Sequence, residues 1–403
     1  MTMKREAVTC IAAFGRIQVM VFKVLLGSLG LVLGASSAMA TPLLIGTYTG
    51  GQSKGIYLYN FDDRTGHIDP RPAQVTAAEN PSWLVPSADH RLLYAVDENG
   101  EGGRDPVGRA SAYRMDPASG RLTFINRMSS LGAEPTYASL SKDGRYLFVA
   151  NYAVLADPGG TLSVLPVGKG GALGPVTQIK TYRASMVNLD RQTSPHIHSV
   201  VSSPDGRFVF VQDLGGDRIH AYRYDPARRE TPLSALRDQP FTEMPKGSGP
   251  RHLIFSPDGR HAYVTLEMAG QVAVLDHAEG RLTLRQTIAL APEGFAGKVS
   301  AAALHFSPDG RFLSITDRGS DNHLLSFKVS SKDGSLQLAD RRSVEGNEPR
   351  EFAFSPDGRF VLIANQRSHG IKVFRRDPAS GAVKEEVQTL SIDQASDIKF
   401  LTR

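Results

Sequence analysis

Imidazole, guanidinium, carboxylate and amide groups recur at fixed distances from a repeated turn, while the positions between them are alike and apolar in every copy. Seven residues before each turn aspartate stand Ser82, Thr136, His198, Arg251, Ala302 and Arg350. Nine residues after it stand Glu98, Tyr152, Leu214, Glu267, Arg318 and Gln366, and eight after it Asp97, Asn151, Asp213, Leu266, Asp317 and Asn365. A structural need alone would repeat one residue type in each column. Potent side chains that differ from copy to copy on the rim of a rigid scaffold point instead to a site. One histidine, several arginines and several acids there would form a polar cup for an anionic or polyhydroxylated small molecule. The rival reading is polar variation that solvent tolerates.

Three further features bear on that cup. His196 and His198 form a His-x-His pair that shares a face at strand spacing, an arrangement also used for zinc. Asp213 is the one nearby candidate for a third ligand; with no cysteine and no matching second pair, no metal is assigned. His305, four residues before its turn aspartate, is either a satisfied residue of the channel wall or a ligand contact. His196, Asp213, His252, His305, Arg318 and Gln366 are therefore taken as candidate substrate contacts. No Gly-x-Ser-x-Gly elbow is present, so a serine nucleophile has no support. The glycine-rich stretches Gly46–Gly51 and Gly168–Gly171 lack the strand–glycine–helix context of a nucleotide loop.

The elements that must position these residues follow from the turn itself. Ser203-Pro204-Asp205-Gly206-Arg207 returns at Ser256–Arg260, Ser307–Arg311 and Ser355–Arg359, with a close copy at Ser141–Arg145 and a degraded one at Ser87–Arg91. Aspartates at 89, 143, 205, 258, 309 and 357 give a period near fifty, the signature of a repeated supersecondary unit. In the fourth copy, Arg251–Phe255, His261–Thr265, Gln271–Asp276 and a segment starting at Arg281 read as four short strands separated by turn signals. The Asp-Gly step supplies the positive φ of the first hairpin. That is one blade of a β-propeller. Leu43–Tyr48, Gly55–Tyr59 and His67–Val75 read as the second, third and fourth strands of a blade whose first strand is the C-terminal Asp397–Leu401. The expected fold is thus an all-β, seven-bladed propeller, four antiparallel strands per blade, closed by a blade that both chain ends build. Closure removes exposed sheet edges. The first and last residues of the paired inner strands meet at the face opposite the Asp-Gly turn, where the chemical columns converge. The longest step between turns precedes Asp205, and its extra residues, Tyr182–Ser194, form a loop placed to cover the cup.

Residues 1–40 read as a leader. Met20–Ala40 runs from Lys23 through apolar Val24–Gly34 to Ala38-Met39-Ala40, a small-x-small cleavage pattern. An uncleaved anchor is the alternative, although the apolar stretch is short for a span. Cleavage leaves residues 41–403 as one domain and removes Cys10, the only cysteine, so the exported chain has no disulfide. Loss of Lys4, Arg5, Arg16, Lys23 and Glu6 lowers the net charge from +5 to +2. That balance gives no footprint for nucleic acid and no basic tail for a membrane surface.

These residues resemble the lactonase family of seven-bladed propellers, which includes the propeller-type 6-phosphogluconolactonase and the fungal carboxymuconate cyclase. The resemblance spans 43–401. It rests on Gly46-Thr47-Tyr48-Thr49, Asn80-Pro81-Ser82-Trp83, Ala150-Asn151-Tyr152, Arg191-Gln192, and Pro195-His196-Ile197-His198-Ser199. Asp213–Arg218, Gly249-Pro250-Arg251-His252 with Glu267, and Glu348-Pro349-Arg350 complete the ordered set. The resemblance implies an active-site set of His198, Arg251, Arg350 and Glu267. It implies hydrolysis of a sugar-type lactone, phosphorylated or not. Glu267 or His198 would act as general base on water, and the two arginines would hold the carbonyl oxygen as it gains charge. No cofactor is implied, because a lactone carbonyl is already susceptible, and the partner is a small lactone. Lactonisation of a muconate and non-catalytic binding of a ligand or protein are the alternatives. Two departures stand out. Ala303 occupies a position where the family often has an acid, and the leader implies export, to the periplasm, whereas sugar-phosphate lactones belong mainly to the cytoplasm.

Overall fold

The computed structural model describes residues 40–100, 106–152 and 159–402. The leader and Cys10 lie outside the described residues, Ala40 excepted. Seven antiparallel sheets follow one another along the chain. The first blade runs Leu84–Pro86, Leu92–Asp97, Arg109–Met115 and Leu122–Ser129, and the fourth runs Pro250–Phe255, His261–Leu266, Gln271–Ala278 and Arg281–Ala289. The seventh is built by both ends: the C-terminal Ala395–Phe400 pairs with Thr41–Thr47, which pairs with Gly55–Asp62. The expected fourth strand at His67–Val75 is two pieces, His67–Ile68 and Gln74–Ala77, each paired to Gly55–Asp62. Pro70 and Pro72 lie between them, and proline cannot donate to a ladder.

Burial follows strand position. Second strands such as Tyr146–Asn151, Phe208–Asp213 and His261–Leu266 are buried at every residue, whereas the outer strand Arg281–Ala289 is mostly exposed. Among the described residues the core is divided into seven clusters, each filled from two neighbouring blades. Phe208 and Phe210 of the third blade meet Leu253 and Val264 of the fourth, for example. Two of the clusters involve the shared blade. Leu43, Ile45 and Ile398 pack on Phe360 and Leu362, while Leu44 and Leu401 pack on Leu84 and Leu93. Seven interfaces between seven blades mean that the ring is closed.

Each residue of the turn phrase has a role. Ser203 Oγ donates to Asp205 Oδ1 at 2.5 Å and accepts the Phe208 amide at 3.0 Å, and the Gly206 amide returns to the Ser203 carbonyl at 2.9 Å. The positive φ falls on the glycine alone, 71° at Gly206 and at Gly259, so this is a Pro-Asp turn followed by a left-handed glycine. It is not a two-residue hairpin in which aspartate shares the strain. The arginine staples neighbouring blades: Arg207 reaches Glu279 at 2.8 Å, Arg311 the Pro378 carbonyl at 2.7 Å and Arg359 the Asp63 carbonyl at 2.7 Å.

The opposite ends of the inner strands share an irregularity. Pairing registers slip between Ile197 and Ser199, between Pro250 and Leu253, and between Pro349 and Glu351. The slips fall at His198, at Arg251-His252 and at Arg350. Thr136, Ala302-Ala303 and Ser396 are skipped in the same way. A bulge leaves its extra residue outside the ladder and re-aims its side chain. Each inner strand with a bulge thus turns one residue towards the channel mouth, seven positions before its turn aspartate where the blade carries one.

Candidate active site

Glu267 is the hub of the mouth. It directly follows the second strand of the fourth blade and is 6% exposed. Its Oε2 lies 3.1 Å from Arg251 Nε, 3.0 Å from Arg318 Nη2 and 4.0 Å from His198 Nε2, while Oε1 accepts Arg191 Nη2 at 2.8 Å. Burial pushes this carboxyl up, but the guanidinium groups of Arg318, Arg251 and Arg191 overcome it and hold it far below the usual range. A carboxylate so strongly held as an anion is a poor proton acceptor. Burial also lowers the Arg251 guanidinium to about 9, with Arg318 adding to the effect.

His198 is better suited to accept a proton. Burial, then Arg251, hold its imidazole well below 6.5 and so neutral, with Glu267 opposing. Thr136 Oγ1 lies 3.5 Å from Nδ1 and 3.4 Å from the His198 carbonyl. A proton on Nδ1 suits that hydroxyl and leaves the Nε2 lone pair on the Glu267 side. This tautomer follows from the partners.

Arg350 forms the other wall. Its guanidinium sits 5.0 Å over the Tyr48 ring, and among the described residues its nearest acid is Glu98, 3.6 Å away. Glu98 is engaged elsewhere, accepting the Tyr48 hydroxyl at 2.8 Å and the Ser82 hydroxyl. Arg350 therefore keeps donors for a ligand, whereas the Arg251 side chain is only 2% exposed and mainly holds Glu267 in place. Arg318 bridges Glu267 and Glu348, the latter at 3.1 Å.

The four residues implied by the resemblance, with Arg318, are thus brought to one mouth. Arg191, Tyr48, Glu98 and Glu348 join them. Glu98 stood in the nine-after column, and the other three lay in the motifs that carry the resemblance. The loop containing Arg191 does approach the cup, and Arg191 ties it down by donating to Glu267 and, at 3.1 Å, to the Tyr152 hydroxyl. Gln192 anchors the loop from beneath, donating to the Leu214 carbonyl at 2.9 Å and to Asp217 at 2.8 Å.

Other candidates stand elsewhere. Asp213 is fully buried and accepts the backbone amides of His196 and Gly216, both at 2.9 Å, so it braces the loop rather than facing the cup. The eight-after column is wall throughout: Asp97 holds Ser111 and Arg127, and Asn151 holds Thr161 and Ser163. His196 precedes the strand, which starts at Ile197, and the bulge at His198 breaks strand spacing. Tyr152 joins the two histidines instead, stacked on His196 at 4.4 Å and edge-on to His198 at 5.6 Å. Among the described residues no group of three His, Cys, Asp or Glu is placed to hold a metal ion. Gln366 is half-buried beside the mouth, its backbone N–H donating to the Glu348 carbonyl at 3.0 Å. His252 lies deeper, at the channel waist, with Trp83 at 5.4 Å and Tyr137 at 5.3 Å. His305 is beyond that waist, paired with Glu351 at 2.5 Å, and does not reach the cup. Ala303 is fully buried among Phe352, Val361 and Phe374.

These elements define a closed seven-bladed β-propeller with a polar cup at one mouth, lined by a buried histidine, a fixed carboxylate and convergent arginines. Residues 42–400 match the profile of the family described as "Lactonase, 7-bladed beta-propeller", and the chain belongs to that family. It is accordingly a lactone-hydrolysing carboxylic ester hydrolase. The 6-phosphogluconolactonase of Bacillus subtilis (strain 168) is 30% identical over 366 residues, 89% of this chain and 97% of that protein. The 6-phosphogluconolactonase of Formosa agariphila is 29% identical over 366 residues, 89% and 99% of the two chains. The solved periplasmic gluconolactonase of Pseudomonas aeruginosa superposes with a TM-score of 0.87 at 54% identity, over 90% of this chain and 99% of that one. Among the described residues no helix is long and apolar enough to cross a membrane.

Proposed function

We propose that this protein is an exported, periplasmic lactonase that opens a non-phosphorylated aldonolactone of the glucono-1,5-lactone type. The observation that carries the reading is a buried His198 whose Nε2 stands 4.0 Å from a carboxylate engaged by three arginines. In the proposed reaction a water attacks the lactone carbonyl carbon as His198 Nε2 takes its proton. Glu267 stabilises the imidazolium that forms. Arg350 donates to the carbonyl oxygen as it becomes an oxyanion. Collapse breaks the bond to the ring oxygen, which receives the proton back from His198, giving the open hydroxy acid. Each step uses only water and side chains. The proposed base is His198 rather than Glu267, because Glu267 is engaged by guanidinium groups from three directions.

Similarity to a periplasmic gluconolactonase and a leader ending in Ala38-Met39-Ala40 support the unphosphorylated substrate and export. A phosphorylated lactone is the second reading. It is supported by the Bacillus relative and by Arg191, a half-exposed cation at the lip. Parallel assays on glucono-1,5-lactone and its 6-phosphate, with spontaneous opening subtracted, decide between them. A preference for the phosphate of tenfold or more in kcat/KM would overturn the first.

A further inference from the structure

The channel has a second chamber that the proposed reaction does not use. It opens at the turn face, beside Pro204 and Pro257, and encloses about 510 Å³, within the range of small-molecule pockets. Inner-strand residues from most of the blades converge on it, among them Trp83, Tyr137, His252, His305 and Lys399. Its floor is aromatic: Trp83 stacks on Tyr137 at 4.1 Å, and His252 meets both edge-on. These three rings stand between the chamber and the catalytic cup.

Charge in this chamber is sorted by depth. Lys399 Nζ lies 2.7 Å from Asp397 and 4.0 Å over the Trp83 ring, and His305 Nε2 lies 2.5 Å from Glu351. The acids are buried, Asp397 at 0% and Glu351 at 1% exposure, whereas the Lys399 and His305 side chains are 20% and 33% exposed. The Asp397 carboxylate is further occupied by the Leu84 amide at 2.7 Å. Lys142 adds an exposed ammonium at the rim. Two ammonium groups and an imidazole therefore line the cavity, and the acids paired with Lys399 and His305 are more deeply buried than they are. Such a lining suits a single carboxylate, whose oxygens accept from the ammonium groups and from His305 Nδ1–H in the imidazolium form that its bond to Glu351 favours, with its carbon skeleton over the aromatic floor. His252 is common to both chambers: its ring lines this one, while Arg251 Nη1 lies 3.2 Å away and the His198 ring 5.1 Å away.

We infer that the turn-face chamber is a second binding site, for a small carboxylate, held by Lys399 and His305 over Trp83. The inference goes beyond the lactonase reading and does not depend on it. Trp83 is the only tryptophan in the chain, so its emission reports on this chamber. The purified protein is titrated with sodium gluconate and with sodium acetate while tryptophan fluorescence is followed. The expected result is a saturable change with both salts. It persists in Arg350→Ala, which impairs the cup, and is weakened at least tenfold in Lys399→Met and in His305→Gln. The second variant keeps the test open if removing Lys399 from buried Asp397 prevents folding. The inference is overturned if neither salt gives a saturable change up to tens of millimolar against a sodium chloride control. It is equally overturned if the change disappears in Arg350→Ala but survives in His305→Gln.

Discussion

Replacing Glu267 by glutamine tests the electrostatic design of the cup. The substitution keeps size and one acceptor oxygen but removes the charge that Arg251, Arg318 and Arg191 share. Arg251 is 1% exposed, and its guanidinium is already lowered to about 9 with the carboxylate in place. Without it, a desolvated cation faces Arg318 with its nearest compensating charge gone. Breaking one partner out of a buried ion pair costs about 3–5 kcal/mol. Arg191 is 43% exposed at its side chain and recovers solvation, so it adds little. The expected loss is therefore about 3–5 kcal/mol in urea unfolding. Glu98→Gln serves as the control: its arginine is 3.6 Å away, and the Tyr48 and Ser82 hydroxyls can still donate to the amide oxygen, so it should lose clearly less than Glu267→Gln. If Glu267→Gln costs no more than Glu98→Gln, the arginines are not organised by Glu267 and the hub is misassigned.

Three other expectations follow from the same geometry. Arg191→Ala should leave stability within about 1 kcal/mol, as for other half-exposed pairs, while raising KM more than it lowers kcat, because it frees the loop over the cup; steady-state kinetics with a melting control checks this. Since His198 is held well below 6.5, lowering the pH from 8 to 6.5 should not protonate it, and the acid limb of kcat/KM should fall below pH 6.5; a limb centred above 7 would assign the base elsewhere. Deleting residues 395–403 removes the strand that closes the ring, together with Ile398 and Leu401 of its core, and should abolish cooperative unfolding in circular-dichroism melts.

The architecture was legible because the turn phrase has strict local requirements. Serine, aspartate and glycine each make a bond or adopt a φ that few residues can replace, so they survive together in five copies, with His90 taking the glycine's place at φ 52° in the sixth, and the phrase measures the blades. The same ruler located the rim columns of His198, Arg251, Arg350, Glu267 and Arg318. It did not reveal that the inner-strand column is a row of bulges, since a bulge is a pairing irregularity and leaves no composition signal. Nor could counting along one strand separate depth within the channel. Asp213, His252 and His305 carry the same chemistry as the cup residues, but they lie in its wall, at its waist and beyond it. Arg191 and Tyr48 enter from a loop and from the blade closed by both ends, outside any column tied to a turn.

The central claim is that His198 takes the proton of the attacking water. Acid release from glucono-1,5-lactone at constant pH, corrected for spontaneous opening, measures it most directly in the parent and in His198→Gln. The account predicts a kcat lower by about 10²–10⁴ in the variant, the usual worth of a general base, with KM changed only a few-fold and folding intact. A variant that keeps the parent rate, or a parent no faster than buffer, would contradict it.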